Sequence, residues 1–219
     1  VVKYQVEFAR TYLKDNVYDV KKQPEWWLVF DWKDNLDRHA SMQGLMTFAI
    51  EQSYELAKML GCEGEVADWP KVVKDMRKAS RAMFYDKKLG VVKSGPDAQI
   101  SYLSQVWMIL SETLTQKEAV RALEYVLADD STCYIGSPYA YHYLIEAMIK
   151  SGMEERAREM LITYWGDMVN KGADTFWEVY DPNDDYTSPY KYYPMNSYCH
   201  AWSCTPVYFI YKYKDIFQR

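Results

Sequence analysis

The chain has 219 residues, with 26 Lys and Arg against 31 Asp and Glu, a formal net charge of -5. That length suits one large domain or two small ones and can bury a core without staples. An apolar content of 49% with only 9 Gly and 8 Pro excludes a disordered, collagen-like or low-complexity chain. The acidic balance argues against a nucleic-acid partner. No uncharged run reaches the ~20 apolar residues of a bilayer span, so no membrane helix is expected.

In chain order, helical periodicity dominates. Val1, Tyr4, Phe8, Tyr12 and Leu13 share one face, which predicts a helix over 1–14. No cap residue precedes it, and the pattern starts as though inside a longer protein. Residues 18–31 read as a loop with Pro24 and the apolar run Trp26, Trp27, Leu28, Val29 and Phe30. A long helix follows, capped by Asp34 or Asn35, with Leu45, Phe48, Ala49, Gln52, Leu56, Met59 and Leu60 on one face and Gly61 as its stop. The next starts near Asp68 with Pro70 in its first turn and a stripe of Trp69, Val72, Val73, Met76, Met83 and Phe84. The short link predicts an antiparallel hairpin. Residues 85–95 suggest a small loop or β-hairpin. Helices are then expected over 100–114, 117–127, 138–151 and 154–169, and a last one over 202–214. The stretch 172–198 carries no helical period and is rich in Pro, Asp, Asn and Tyr, the composition of an ordered functional loop.

About eight helices in antiparallel pairs, almost without strand, fit either a helical-repeat solenoid or an arc of a closed ring of hairpins. No consensus repeats, and the loops differ widely, which favours a ring with an active-site mouth. The four cysteines, Cys62, Cys133, Cys199 and Cys204, have neither CxxC nor zinc spacing and are expected as buried thiols. No metal site or cofactor motif is found.

Aromatic residues are dense: 21 Tyr, 8 Trp and 7 Phe, nine of the Tyr between Tyr180 and Tyr213. Such clusters are often core, and they also offer flat apolar faces with polar rims that suit sugars. Glu178 stands between Trp177 and Tyr180. Hemmed by those rings it would be partly desolvated and suited to proton transfer; the alternative is a surface Glu beside a packed Trp. His200, in Asn196-Ser197-Tyr198-Cys199-His200-Ala201-Trp202-Ser203, sits where a loop meets a helix and could donate to a ligand or be a satisfied structural histidine. His39 reads as an ordinary, partly exposed residue, and His142 could be either. Phe30-Asp31-Trp32, taken alone, reads as core packing plus a cap. No nucleophile elbow supports a Ser-His-Asp triad.

Asp31-Trp32 before a long helix, Gly136-Ser137-Pro138-Tyr139 opening another, the Gly-Ala-x-Thr-x-Trp-Glu run ending at Glu178 and the Asn-Ser-x-x-His-Ala-Trp-Ser run at His200 occur in that order. Together they resemble the catalytic domain of bacterial α-L-rhamnosidases, glycoside hydrolase family 78, over nearly the whole chain. Asp174 departs from the pattern, standing where a Thr is common. The resemblance implies an all-α fold of antiparallel hairpins forming part of an (α/α)6 barrel, spanning 1–219. It implies inverting hydrolysis of terminal α-L-rhamnosyl residues, with two carboxyls about 6.5–9.5 Å apart. Glu178 would be the general base; Asp31, Trp32, Tyr139, Trp177, His200 and Trp202 would line the sugar pocket. No metal or other cofactor is implied. The family's acid-rich motif is not found here, and eight helices are four fewer than a twelve-helix ring. Both features predict that the first third of the barrel, with the general acid, lies outside this chain. The chain alone would then be inactive, and its partners would be that segment or a second copy, besides the carbohydrate. The resemblance also implies a periplasmic or extracellular location. A non-catalytic carbohydrate-binding or scaffold module, and a six-hairpin glycosidase for another sugar, remain as alternatives.

Overall fold

The computed structural model describes residues 1–22, 29–193 and 195–219. The expected loop with Pro24 and the run Trp26, Trp27 and Leu28 falls outside the described residues. The chain divides into two compact units, one of Val1–Leu28 and Leu36–Cys133, the other of Val29–Asn35 and Tyr134–Arg219. Among the described residues no helix is long and apolar enough to cross a membrane.

The first unit contains α1 (Val2–Arg10), β1 (Leu13–Lys14), β2 (Val17–Tyr18), α2 (His39–Met59), α3 (Trp69–Phe84), β3 (Tyr85–Asp86), β4 (Val91–Val92), α4 (Tyr102–Leu110) and α5 (Gln116–Ala128). Its centre is α2, against which α1, α3 and α4 pack. Val6, Ile50, Ala57, Val66, Trp69, Val73 and Met76 form one buried cluster. Helix α4 can come close to α2 because Gly44 has no side chain: a Cβ there would lie 2.7 Å from the carbonyl carbon of Trp107. Buried Gln43 ties the hairpin to the helices, accepting from Tyr18 N at 2.7 Å and donating to Asn16 O at 3.0 Å and Ser80 Oγ at 3.1 Å. The α4 and α5 starts carry capping boxes at Ser101 and Thr115.

Several expected boundaries move. Helix α1 ends at Arg10, and 13–18 form a hairpin whose two turn residues, Asp15 and Asn16, both have positive φ. That is the backbone demand of a tight hairpin turn, which Asn and Asp meet at low cost. Helix α2 begins at His39, not near Asn35; Asn35 is itself at φ 59°. Its first amides are satisfied instead by Asp37 Oδ1, which accepts from His39 N at 3.0 Å, and by Ser94 Oγ, which accepts from Ala40 N at 2.9 Å. Helix α4 stops at Leu110, where Glu112 at φ 56° breaks the run that sequence carried to 114. The small hairpin expected over 85–95 is present as β3 and β4.

The second unit contains α6 (Pro138–Lys150), α7 (Glu154–Asn170), α8 (Thr205–Lys212) and α9 (Lys214–Phe217). Helices α6 and α7 form a hairpin across Ser151, Gly152 and Met153, with Leu144, Ile145, Met148, Leu161, Trp165 and Met168 buried. The last expected helix is divided. A 3-10 turn at Ala201–Ser203 precedes α8, and Tyr213, at φ -120° and ψ 55°, separates α8 from α9. Residues 172–198 contain no helix or named strand among those described, as their composition predicted. The cysteines are not four buried thiols: Cys199 and Cys204 are exposed, Cys62 and Cys133 half-buried. Both exposed thiols lie at the irregular entry to α8, where the chain has no helix-packing face to bury them.

Candidate active site

The second unit carries the candidate residues. Ser137 caps α6, its hydroxyl accepting from Ala140 N, and Pro138 fits the first helical position, where its missing N–H costs nothing. This places Tyr139 in the first turn. The segment around Glu178 runs beside the segment before α8: Glu178 N donates to Ser197 O at 2.8 Å, and His200 N donates to Phe176 O at 2.8 Å. Asn196 reinforces the pairing by donating to Val179 O at 3.1 Å and accepting from Val179 N at 3.3 Å. The 3-10 turn is locked to the same strip. Trp202 Nε1 donates to Glu178 O at 3.0 Å and Ser203 Oγ to Trp177 O at 2.6 Å.

Glu178 is buried, only 4% exposed, so the surface-Glu alternative does not hold. Its Oε1 accepts from the Tyr190 hydroxyl at 3.3 Å and its Oε2 from Ser197 N at 3.3 Å. Both contacts are at the long end for hydrogen bonds to a carboxylate and leave acceptor capacity over. Through Tyr190 and Trp202 it is joined to a cluster of five rings. Trp32 packs on Tyr190 at 5.8 Å and on Trp202 at 6.3 Å, Tyr139 packs on Trp202 at 5.4 Å, and His200 stacks on Trp202 at 4.2 Å with 22° between planes. His200 Nδ1 is buried and has no hydrogen-bond partner among the described residues. Lys191 pairs with Asp34 at 2.8 Å, fastening the segment of Tyr190 to that of Trp32.

Five of the expected residues, Trp32, Tyr139, Glu178, His200 and Trp202, are therefore joined by direct contacts. Two are placed otherwise. The Trp177 ring packs elsewhere: it meets Tyr180 at 5.7 Å and Tyr198 at 5.4 Å. The rings expected to hem Glu178 thus pack on each other, and Tyr180 bonds to Asp167. Asp31 is buried with both oxygens engaged by protein donors. Oδ1 accepts from Trp32 N at 2.9 Å and Ser137 Oγ at 2.5 Å, and Oδ2 from Gly136 N at 2.6 Å. Burial pushes its carboxyl up to about 6, against the pull of those donors and of Lys33. His39 is partly exposed beside Asp37, at 3.1 Å. His142 is held below its ordinary value by burial and bonded to Thr205 Oγ1 at 3.3 Å. Tyr190 was not singled out in the sequence, where it is one tyrosine of several in an aperiodic loop; only its hydroxyl against Glu178 marks it.

A buried carboxylate bonded to Tyr190, in one cluster with aromatic rings and a histidine whose Nδ1 is unsatisfied, is equipped to accept a proton and to hold a sugar's C–H face and hydroxyls. Among the described residues, no cluster of three or more metal-ligating side chains is present. Residues 7–213 match the family described as the bacterial alpha-L-rhamnosidase 6 hairpin glycosidase domain. The chain belongs to this family. A rhamnosidase from Klebsiella oxytoca with rhamnose bound superposes with a TM-score of 0.90 at 32% identity, over 97% of this chain and 41% of that one. A family 78 rhamnosidase of Bacillus sp. GL1 gives 0.79 at 20% identity, over 97% and 23%. A Streptomyces avermitilis alpha-L-rhamnosidase complexed with L-rhamnose gives 0.67 at 19%, over 96% and 20%. The last two show the shared fold. The rhamnosidase domain here thus spans less than half of each of these proteins. No match is found among the curated proteins. The six-hairpin, all-α architecture expected from the resemblance is that of these rhamnosidases.

Proposed function

We propose that this protein hydrolyses terminal α-L-rhamnosyl residues with inversion, and that Glu178 is the general base that activates the attacking water. The buried Glu178 carboxylate set against Trp32, Tyr190 and Trp202 carries the reading. Its family and the rhamnose present in the Klebsiella and Streptomyces relatives support it. Glu178 takes the water proton as the oxygen attacks the anomeric carbon, while a second carboxyl on the other face protonates the leaving oxygen. Trp32, Tyr139 and Trp202 cover the sugar's C–H face, and His200 donates to a ring hydroxyl. Apolar walls suit rhamnose, whose 6-methyl group replaces a hydroxymethyl.

The test is turnover of an aryl α-L-rhamnoside by the intact protein, with the first-released anomer followed by NMR. Release of β-L-rhamnose supports the proposal. Retention at the anomeric carbon, or turnover confined to glycosides of another sugar, overturns it. Sugar binding without turnover makes the protein a binding module.

A further inference from the structure

We propose that Asp31 is a positioning residue of the sugar site: it does not touch the sugar but fixes the two aromatic side chains, Trp32 and Tyr139, that form the wall with Trp202. The inference rests on the reading of the site as a rhamnoside pocket and assigns Asp31 a place behind it.

Three observations carry it. First, the Asp31 carboxylate is buried and its three donors come from two places more than a hundred residues apart: Trp32 N beside it, and Gly136 N and Ser137 Oγ at the head of α6. One carboxylate therefore clamps the segment carrying Trp32 to the helix start carrying Tyr139. Second, both of those residues meet the same ring, Trp202, at 6.3 and 5.4 Å, and Trp202 is bonded to the backbone of Glu178. A shift in the clamp thus moves the wall relative to the carboxylate. Third, the two backbones touch at Gly136, where a Cβ would lie 3.3 Å from Trp32 C and 3.3 Å from Lys33 N. A Cβ there would press the two backbones apart by a few tenths of an ångström, so the clamp fixes a distance as well as a direction.

Only an acceptor-rich group fills this place. In Asp31→Asn the amide oxygen can still serve Trp32 N and Ser137 Oγ, but the amide nitrogen then faces the Gly136 N–H, donor against donor. The burial that pushes the carboxyl up to about 6 shows that charge is held here at a cost in stability.

The experiment compares the intact wild-type protein with Asp31→Asn and Gly136→Ala, the second keeping every donor while pressing on the Trp32 backbone. Near-UV circular dichroism without ligand reports the coupled Trp32 and Trp202 rings, and kinetics on an aryl α-L-rhamnoside separate KM from kcat. Both variants are expected to keep the wild-type far-UV spectrum, lose part of the near-UV tryptophan signal and raise KM about ten-fold or more, with kcat little changed. If Asp31→Asn does not fold, Gly136→Ala decides. An unchanged near-UV spectrum and KM in a folded variant overturns the proposal, as does a collapse of kcat at constant KM in Asp31→Asn, which would put Asp31 on the reacting atoms. If wild type turns over no α-L-rhamnoside, the functional reading fails by itself, and the ligand-free near-UV comparison still decides the clamp.

Discussion

Replacing Glu178 by Gln changes one oxygen into an amino group, and the surroundings say what that costs. The side-chain oxygen can keep the bond from Ser197 N, a fixed donor. The new amide nitrogen then faces the Tyr190 hydroxyl, which can rotate to accept. No donor is forced against a donor, so the fold should lose at most about 1 kcal/mol, within the usual net worth of one hydrogen bond. The chemical loss is of another size. An amide cannot take a proton from water, and removing a general base costs about 10²–10⁴ in rate, roughly 3–5 kcal/mol of barrier. Glu178→Gln in the intact protein should therefore melt within a few degrees of wild type and bind L-rhamnose, while kcat on an aryl α-L-rhamnoside falls by at least about a hundred-fold. A kcat near that of wild type refutes the assignment of Glu178 as base, and loss of the cooperative thermal transition refutes the hydrogen-bond reasoning.

Asp31 should give stability a pH dependence: its carboxyl is about 6 in the fold against 3.8 unperturbed, so the folded state holds the proton more tightly. Its contribution is full only well below pH 3.8 and is lost as pH rises through 6, so the stability of wild type relative to Asp31→Asn should fall by about 2 kcal/mol between pH 4 and 7, measured by urea unfolding; a flat difference contradicts the burial argument. Lys33 and Tyr164 are the charged and titratable neighbours that bear on this group. Gly95→Ala should destabilise by about 2–4 kcal/mol in thermal unfolding, because Gly95 has φ +68° and an added Cβ would lie 1.9 Å from Asp37 Oδ2. A disulfide-exchange reagent should modify two thiols fast, Cys199 and Cys204, and the half-buried Cys62 and Cys133 slowly; four slow thiols would contradict the exposure of the α8 entry.

The helices were legible because their cores are amphipathic and long: Trp69, Val73 and Met76 on α3 bury the face their spacing predicts. Their ends were less so. Helix α2 starts late because its first amides are served by Ser94, 54 residues further on, and by Asp37 through an off-cap contact, neither of which has a local signature. Helix α1 stops early because Asp15 and Asn16 form a hairpin turn, a signal covered by the helical spacing of Tyr12 and Leu13. In the site, the motifs carried Glu178, His200, Trp202, Trp32 and Tyr139 to one place. Motifs do not say which way a side chain points. The Trp177 ring packs on Tyr180 and Tyr198, Asp31 turns to Gly136 N and the Ser137 hydroxyl just before α6, and Tyr190 reaches Glu178 from a loop without periodicity. These orientations depend on pairings between segments far apart in the chain.

In the proposed function, Glu178 and the rings of Trp32, Tyr139, His200 and Trp202 hold the sugar. A crystal structure of the intact protein soaked with L-rhamnose tests it most directly. The expected result is the ring lying on Trp32 and Trp202, a hydroxyl bonded to His200 and the anomeric carbon facing Glu178, with Asp31 still bonded to Gly136 and out of contact with the sugar. Rhamnose bound at another surface, with the Trp32–Trp202 cluster empty, would contradict it.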